Sequence, residues 1–227
     1  MDFYPSRRHG AVSMPIRLAA GIAALFLAGC AFDRKAVDPT VLVETRAGRE
    51  LGVSTDWGIV FLGATAGFGR ADVVVWYGDG PSIEPTVVEP IGGGLYVLDI
   101  EIRPPTVPLV FDEPAAGEWV ELVGRNLDGR WRTRVRVVQH PAVLGLLLEI
   151  PTELSEPSDQ VGAGVFVRDP SGVLALLGLV SGRIQLESPR GTGTYLTVVG
   201  PRDLWRLVAY RRDDALKHTN VYRDDIL

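Results

Sequence analysis

From Val41 onward, short apolar runs alternate with Gly, Pro and Asp punctuation. VLVETRAG (41–48), DWGIVFLGATAG (56–67) and ADVVVWYGDG (71–80) come first, the last closing in a Gly78-Asp79-Gly80 hairpin signal. PTVVEPI, GLYVLDIEI, GEWVELVGRN and RWRTRVRVVQH follow, with a glycine hairpin tip at Gly92-Gly93-Gly94. Within the last run, Arg132 to Val138 alternates cationic and β-branched residues, the period-two pattern of a half-buried strand. VLGLLLEI, AGVFVRD, a turn at Pro170-Ser171-Gly172, VLALLGLVSGRIQLE and GTYLTVVG complete about a dozen strands spaced roughly 8–12 residues apart. Helical spacing is clear in one place: Pro201 suits a first helical turn, and Leu204, Leu207, Val208 and Arg211 follow on one face. The pattern predicts an all-β chain in two halves, 40–115 and 116–200, a short C-terminal helix over 201–213, and a polar tail over 214–227. The break between halves is placed at the VFDEPAAG connection, Val110 to Gly117.

Composition narrows the chemistry. Of 227 residues, 46% are hydrophobic and 22% charged, which excludes a largely disordered chain. The net charge of −5 argues against a general nucleic-acid binder. A single Cys excludes an internal disulfide and a multi-cysteine metal site, and three His leave little for metal binding or acid–base work. No metal and no cofactor are expected.

The first thirty residues read as an address. Arg7, Arg8 and Arg17 give a basic start, although Met14 is a second candidate start that would remove the first two. Leu18 to Leu27 is an apolar run of about ten residues, the length of a signal-peptide core and too short to span a bilayer. It ends in Leu27-Ala28-Gly29-Cys30, which resembles the lipobox of bacterial lipoproteins. That resemblance implies a signal peptide over 1–29, a lipid on Cys30, a tether over 30–39 and a membrane as partner. Ala31 rather than Asp after Cys30 implies the outer membrane of the cell envelope. Removing residues 1–30 takes away three Arg and one Asp, leaving 20 basic against 27 acidic groups and a net charge of −7.

Three ordered segments in the mature chain carry a second resemblance. Gly58-Ile59-Val60-Phe61-Leu62 through Thr65-Ala66-Gly67-Phe68 is similar to the Leu-Thr-Ala-Ala-His strand and turn of trypsin-like serine proteases. Leu98-Asp99-Ile100-Glu101-Ile102, then Ala116-Gly117-Glu118-Trp119-Val120-Glu121-Leu122-Val123-Gly124, resembles their Asp-Ile-Ala-Leu-Leu strand and later Gly-Glu-x-Val-x-Val-x-Gly. Gly162-Ala163-Gly164-Val165-Phe166, a turn, then Leu177 to Arg183 resembles Gly-Asp-Ser-Gly-Ser-Pro-Val-Phe, hairpin, Leu-Val-Gly-Ile-Val-Ser-Gly. Order and spacing agree over about 40–212. The resemblance implies the two-barrel chymotrypsin/trypsin-like fold.

It also implies a triad that this chain lacks. Such enzymes need a His base against a Ser hydroxyl, oriented by a buried Asp. Asp99 matches the Asp, but the His position falls at Phe68 or Gly67, and the Ser position at Val161 or Gln160. A vestigial triad and a catalytically degenerate domain follow. Ser181 matches the serine that bonds the catalytic Asp on the strand pairing with substrate, and Gly182 and Arg183 continue that edge, implying a site for an extended peptide. The Gly162 to Gly164 turn matches a relic oxyanion pocket. The expected role is binding or scaffolding, with an extended peptide or envelope protein as partner and no nucleic acid.

Two other readings remain open: an active hydrolase using Ser158 or Ser181 with His140, and a structural lipoprotein built on an unrelated β-sandwich. Plainer roles also exist for most of these residues. His140 before Pro141 reads as a surface loop residue, Trp57, Trp76 and Tyr77 as core aromatics, and the arginine stripe from Arg130 to Arg136 as a solvated strand face.

Overall fold

The computed structural model describes residues 38–46, 48–63, 72–78, 80–102, 104–126, 129–150, 161–169, 171–188 and 191–224. Cys30, Gly67, Phe68, Ser158 and Gln160 lie outside them, as does the segment read as a signal peptide.

The first half holds β1 (Thr40–Thr45), β2 (Gly48–Thr55), β3 (Gly58–Leu62), β4 (Val74–Trp76), β5 (Val87–Gly92) and β6 (Leu95–Asp99). They form a six-stranded, barrel-like antiparallel sheet in the order β4-β1-β2-β3-β6-β5. The second half holds β7 (Trp119–Asn126), β8 (Gly129–Val138), β9 (Leu147–Glu149), β10 (Gly164–Arg168), β11 (Leu174–Ser188) and β12 (Gly191–Val199). These close into a barrel, β10-β11-β12-β9-β8-β7. The glycine tip read at Gly92 to Gly94 turns β5 into β6, and the predicted period-two strand is β8, with Val135 and Val137 buried between exposed arginines.

Each half has its own apolar interior, and a third cluster is shared. Val41, Val43, Ile59, Phe61, Val75 and Leu98 pack inside the first sheet. Leu122, Val135, Leu148, Val165, Leu177 and Leu196 fill the second barrel. The shared cluster joins Val53, Val60 and Val97 from the first half to Val123, Phe166, Leu176 and Leu179 from the second, with Leu204 and Leu207 from the C-terminal helix. Burying about 25 cal/mol per Å² of apolar surface, such a cluster couples the halves energetically. The connecting segment is stitched to both. Val107 N donates to Ser54 O (3.1 Å), and only three residues later Val110 N donates to Leu176 O (2.9 Å). The handover between halves thus falls within 107–110, at the leading edge of the connection read from the sequence.

The C-terminal helix α1 spans Pro201–Asp224, well past the end expected at 213. Residues 214–224 of the segment read as a polar tail are therefore helical. No Gly or Pro occurs between 202 and 224, so nothing in the backbone stops the helix once Pro201 starts it. Arg212 and Asp213, just beyond the apolar spacing, are exposed.

At the β10–β11 turn, Asp169 Oδ1 accepts from Ser171 Oγ (2.6 Å) and Val173 N (2.8 Å). The Ser171 hydroxyl, then the Val173 amide, hold this exposed carboxyl below the ordinary carboxylate value. Its folded pKa is depressed, so the stabilisation is complete above the unfolded value and is lost as pH falls through the folded one. An NMR titration of Asp169 is expected to show a midpoint below that of the unfolded chain, moving up in Ser171→Ala. Phe166 is fully buried in the shared cluster, so Phe166→Ala should cost about 3–5 kcal/mol in denaturant unfolding, with both halves still melting in one transition.

Candidate functional site

Asp99 is the last residue of β6, whereas in the motif it resembles the Asp leads its strand. Its carboxylate is taken up by the C-terminal helix. Arg211 Nη2 donates to Asp99 Oδ1 and Oδ2, both at 2.7 Å, while Arg211 Nε donates to Trp57 O at 2.7 Å. Side-chain exposures of 15% for Asp99 and 19% for Arg211 make this a largely desolvated, charge-assisted pair.

The local chain is shaped to receive that guanidinium. Asp56 and Trp57 make the two-residue turn between β2 and β3, fixed by Thr55 Oγ1 donating to Gly58 O (2.7 Å) and accepting from Trp57 N (3.2 Å). Gly58 has φ +121°, and a Cβ there would lie 2.6 Å from Arg211 Nη2 and 3.2 Å from Asp99 Oδ1. Both the backbone angle and the space require glycine. The crevice beside Asp99, walled by Ser54, Thr55, Gly58, Ile59 and Ile100, is too tight to admit a water molecule. One helical residue earlier, Tyr210 OH donates to Glu89 Oε2 at 2.8 Å.

The other candidates fall elsewhere. The Ser181 hydroxyl shares a hydrogen bond with Thr197 Oγ1 (2.9 Å), so the Ser181–Asp99 bond implied by the resemblance is absent; Thr197 and Arg211 have taken the two partners. Val161 is half-buried and packs on the shared cluster. The Gly162 N–H is committed to Val180 O at 2.7 Å and cannot face an oxyanion. Gly162 itself is required: φ is +82°, and a Cβ would sit 2.7 Å from Leu51 O.

His140 follows β8. Its Nδ1 accepts from Ala142 N (3.3 Å), which leaves Nε2 as the protonated nitrogen facing Glu187 O (3.1 Å). Glu187 lies six residues along β11 from Ser181, about 20 Å at strand rise. His140 and Ser181 therefore do not form a base–nucleophile pair. His140 instead lines a cavity of about 560 Å³ bounded by Glu113, Leu144, Val198, Arg202 and Asp203, with Arg202 Nε paired to Glu113 at 3.3 Å. Among the described residues, no three His, Cys, Asp or Glu side chains gather to hold a metal ion.

The residues that the resemblance assigned to a peptide edge, Ser181, Gly182 and Arg183, lie on β11. β10 pairs with β11 only through Leu174 to Leu179, whereas β12 pairs with it from Leu179 to Ser188. From Ser181 onward, the other edge of β11 carries no strand among the described residues, and a bulge between Val180 and Gly182 presents Ser181 outward. Near Gly182 a Cβ would touch nothing closer than Thr197 Oγ1 at 3.7 Å, so the side-chain face there has room. The residue missed from the sequence was Arg211 as partner of Asp99. Its signal was present: a cation at an apolar-face position, one turn after Leu207.

Asp99→Ala and Arg211→Ala are each expected to lose about 1–3 kcal/mol, because each leaves the other charge desolvated without a partner. The double variant should lose no more than the worse single variant in a thermodynamic cycle; additive losses would show that the pair does not act as a unit.

No protein-family model and no curated protein matches the sequence. Solved structures do. Rv3671c from M. tuberculosis H37Rv, in an inactive mutant form, matches with TM-score 0.55 and 16% identity over 78% of this chain and 87% of that one. A human pathogenic astrovirus serine protease matches with TM-score 0.52 and 15% identity, covering 73% and 91%. A second inactive form of the Rv3671c protease gives TM-score 0.51 and 18% identity, covering 75% and 89%. At these identities the likeness is one of fold: two six-stranded β units and a C-terminal helix in the chymotrypsin-like arrangement.

Proposed function

We propose that this chain is a lipid-anchored envelope protein whose chymotrypsin-like domain binds or scaffolds and does not hydrolyse. The observation that carries the reading is the commitment of Asp99 to Arg211. A triad carboxylate must face a His ring to orient it; this one is bound through both oxygens by the Arg211 guanidinium. Matched strand to strand, the head of β6 is Leu95, which has no carboxylate at all. Either register leaves no free Asp. The Phe68 and Val161 or Gln160 assignments remove the base and the nucleophile as well.

What the domain retains is the exposed strand edge at Ser181, Gly182 and Arg183. An extended peptide or envelope protein segment adding to that edge would gain main-chain hydrogen bonds without any chemistry. The lipobox resemblance at Cys30, with Ala31 after it, supports placement at the outer membrane.

The competing reading, an active peptidase, draws on the printed identity of the structural neighbours as proteases. With Ser181 bound to Thr197 and His140 about 20 Å away along the strand, it rests on Ser158. The two readings part in one experiment. Treated with a fluorophosphonate probe, the protein is expected to remain unlabelled and to leave peptide substrates intact. Stoichiometric labelling lost in Ser158→Ala would establish the peptidase and sink the binding reading.

A further inference from the structure

The β7–β8 hairpin carries a surface that the peptide edge does not use. Strand alternation places Trp119 and Glu121 of β7 and Arg132, Arg134 and Arg136 of β8 on its outer face, while Val120, Leu122, Val135 and Val137 point inward. Trp119 sits opposite Arg136 in register and is 50% exposed. The Arg136 and Arg134 guanidinium carbons lie 4.8 and 5.7 Å from its ring centroid. Glu121 is shared by two guanidiniums: Arg132 pairs with one oxygen, and Arg168 Nε approaches the other at 2.9 Å. Glu118 beside Trp119 is turned to Ala115 N. The face therefore gathers four guanidiniums around an indole and one doubly compensated carboxylate, in a chain that is acidic overall.

We propose that this face docks on an anionic phospholipid surface, with Arg134 and Arg136 meeting headgroup phosphates and Trp119 entering the interfacial layer. Three observations select that occupant. First, Arg134 and Arg136 pair with a ring and not with a carboxylate among the described residues, so their fork of donors remains available to phosphate oxygens. Second, Trp119, Arg134 and Arg136 are exposed side by side on the outer face of the hairpin, which suits a plane of phosphates better than one enclosed anion. An indole flanked by guanidiniums is also the chemistry favoured at the membrane–water boundary.

Third, the chain enters the described body at this hairpin. Asp38 Oδ2 accepts from Arg125 Nη2 at 3.1 Å, and Asp38 Oδ1 lies 3.6 Å from Arg130 Nε. Arg125 and Arg130 face each other across β7 and β8, on the same side of the hairpin as Trp119 and Arg136. Cys30 is eight residues before Asp38, a reach of at most about 28 Å, while Arg130 to Arg136 spans about 20 Å of strand. A lipid on Cys30 would hold the body close enough for this face to meet the bilayer. The proposal rests to that extent on the lipid-anchor reading.

The test is flotation of the full chain with phosphatidylcholine vesicles, with and without phosphatidylglycerol, for wild type and R134E/R136E. Both carry the same N-terminal segment, so their difference isolates the face. The phosphatidylglycerol-dependent partition is expected to fall by at least about 30-fold in the variant, the loss of two cations alone accounting for that much, and the wild-type advantage to shrink as salt is raised. Trp119→Phe should remove a blue-shifted component from the vesicle-bound emission. Equal phosphatidylglycerol dependence in wild type and a folded R134E/R136E variant overturns the proposal. So does binding of polyglutamate that R134E/R136E abolishes while vesicle binding is unchanged, which would indicate an acidic protein partner. The anchor is read separately: Cys30→Ala should leave the membrane fraction of cells. If it does not, the anchor reading fails, while the vesicle comparison still judges the face.

Discussion

The guanidinium of Arg211, held between the Asp99 carboxylate and the Trp57 carbonyl, ties the C-terminal helix back to the first half of the chain. Helix α1 follows directly from the last strand of the second barrel, yet its binding partners belong to the first sheet. Leu204 and Leu207 bury into the shared cluster on the way, so the helix acts as a strap across both halves. The ion pair adds direction to that burial. Apolar packing alone tolerates a helix that slides or rotates, whereas a bidentate contact with a carbonyl and a carboxylate fixes its register.

On the proposed reading, that strap is what withdraws the Asp99 carboxylate from any triad. A carboxylate can orient an imidazole or anchor an arginine, and the stronger charge-assisted partner occupies it. The surroundings agree with the anchoring role. Gly58 leaves room for a guanidinium, Thr55 rigidifies the turn that offers its carbonyl, and the Gly162 N–H closes onto Val180 instead of facing outward. These are features of a packed structural joint. Beyond Ser181, by contrast, the far edge of β11 pairs with no strand among the described residues.

Charge is segregated in a way that net charge conceals. The overall balance is negative, but β8 concentrates guanidiniums on one strand face and stacks two of them on an indole. The first described acidic residue, Asp38, is paired at the far end of the same hairpin. The entry point of the chain and its most cationic face are thus adjacent features of one supersecondary unit.

Local pattern determined a good deal. Alternation along Arg132 to Val138, the Gly92 to Gly94 tip and the 204, 207, 208, 211 spacing each specify an element through backbone geometry and apolar periodicity, and those signals need only near neighbours. The ordered β-halves and helix followed from them, while the two-barrel outline came from the resemblance of three ordered segments. Partnerships across the fold were settled only by tertiary packing. Asp99 and Arg211 are 112 positions apart, and nothing near either residue states that the helix returns to β6. Ser181 pairs with Thr197, and His140 turns to Glu187, because strand register placed those groups within reach. The helix outran its expected end for a related reason. Apolar spacing reports where a helix is packed, and the helix itself persists until the backbone meets a breaker, which does not occur before Asp224. Sequence thus determined which segments could be strand or helix; only the fold decided which charge meets which, because that choice depends on contacts between residues far apart in the chain.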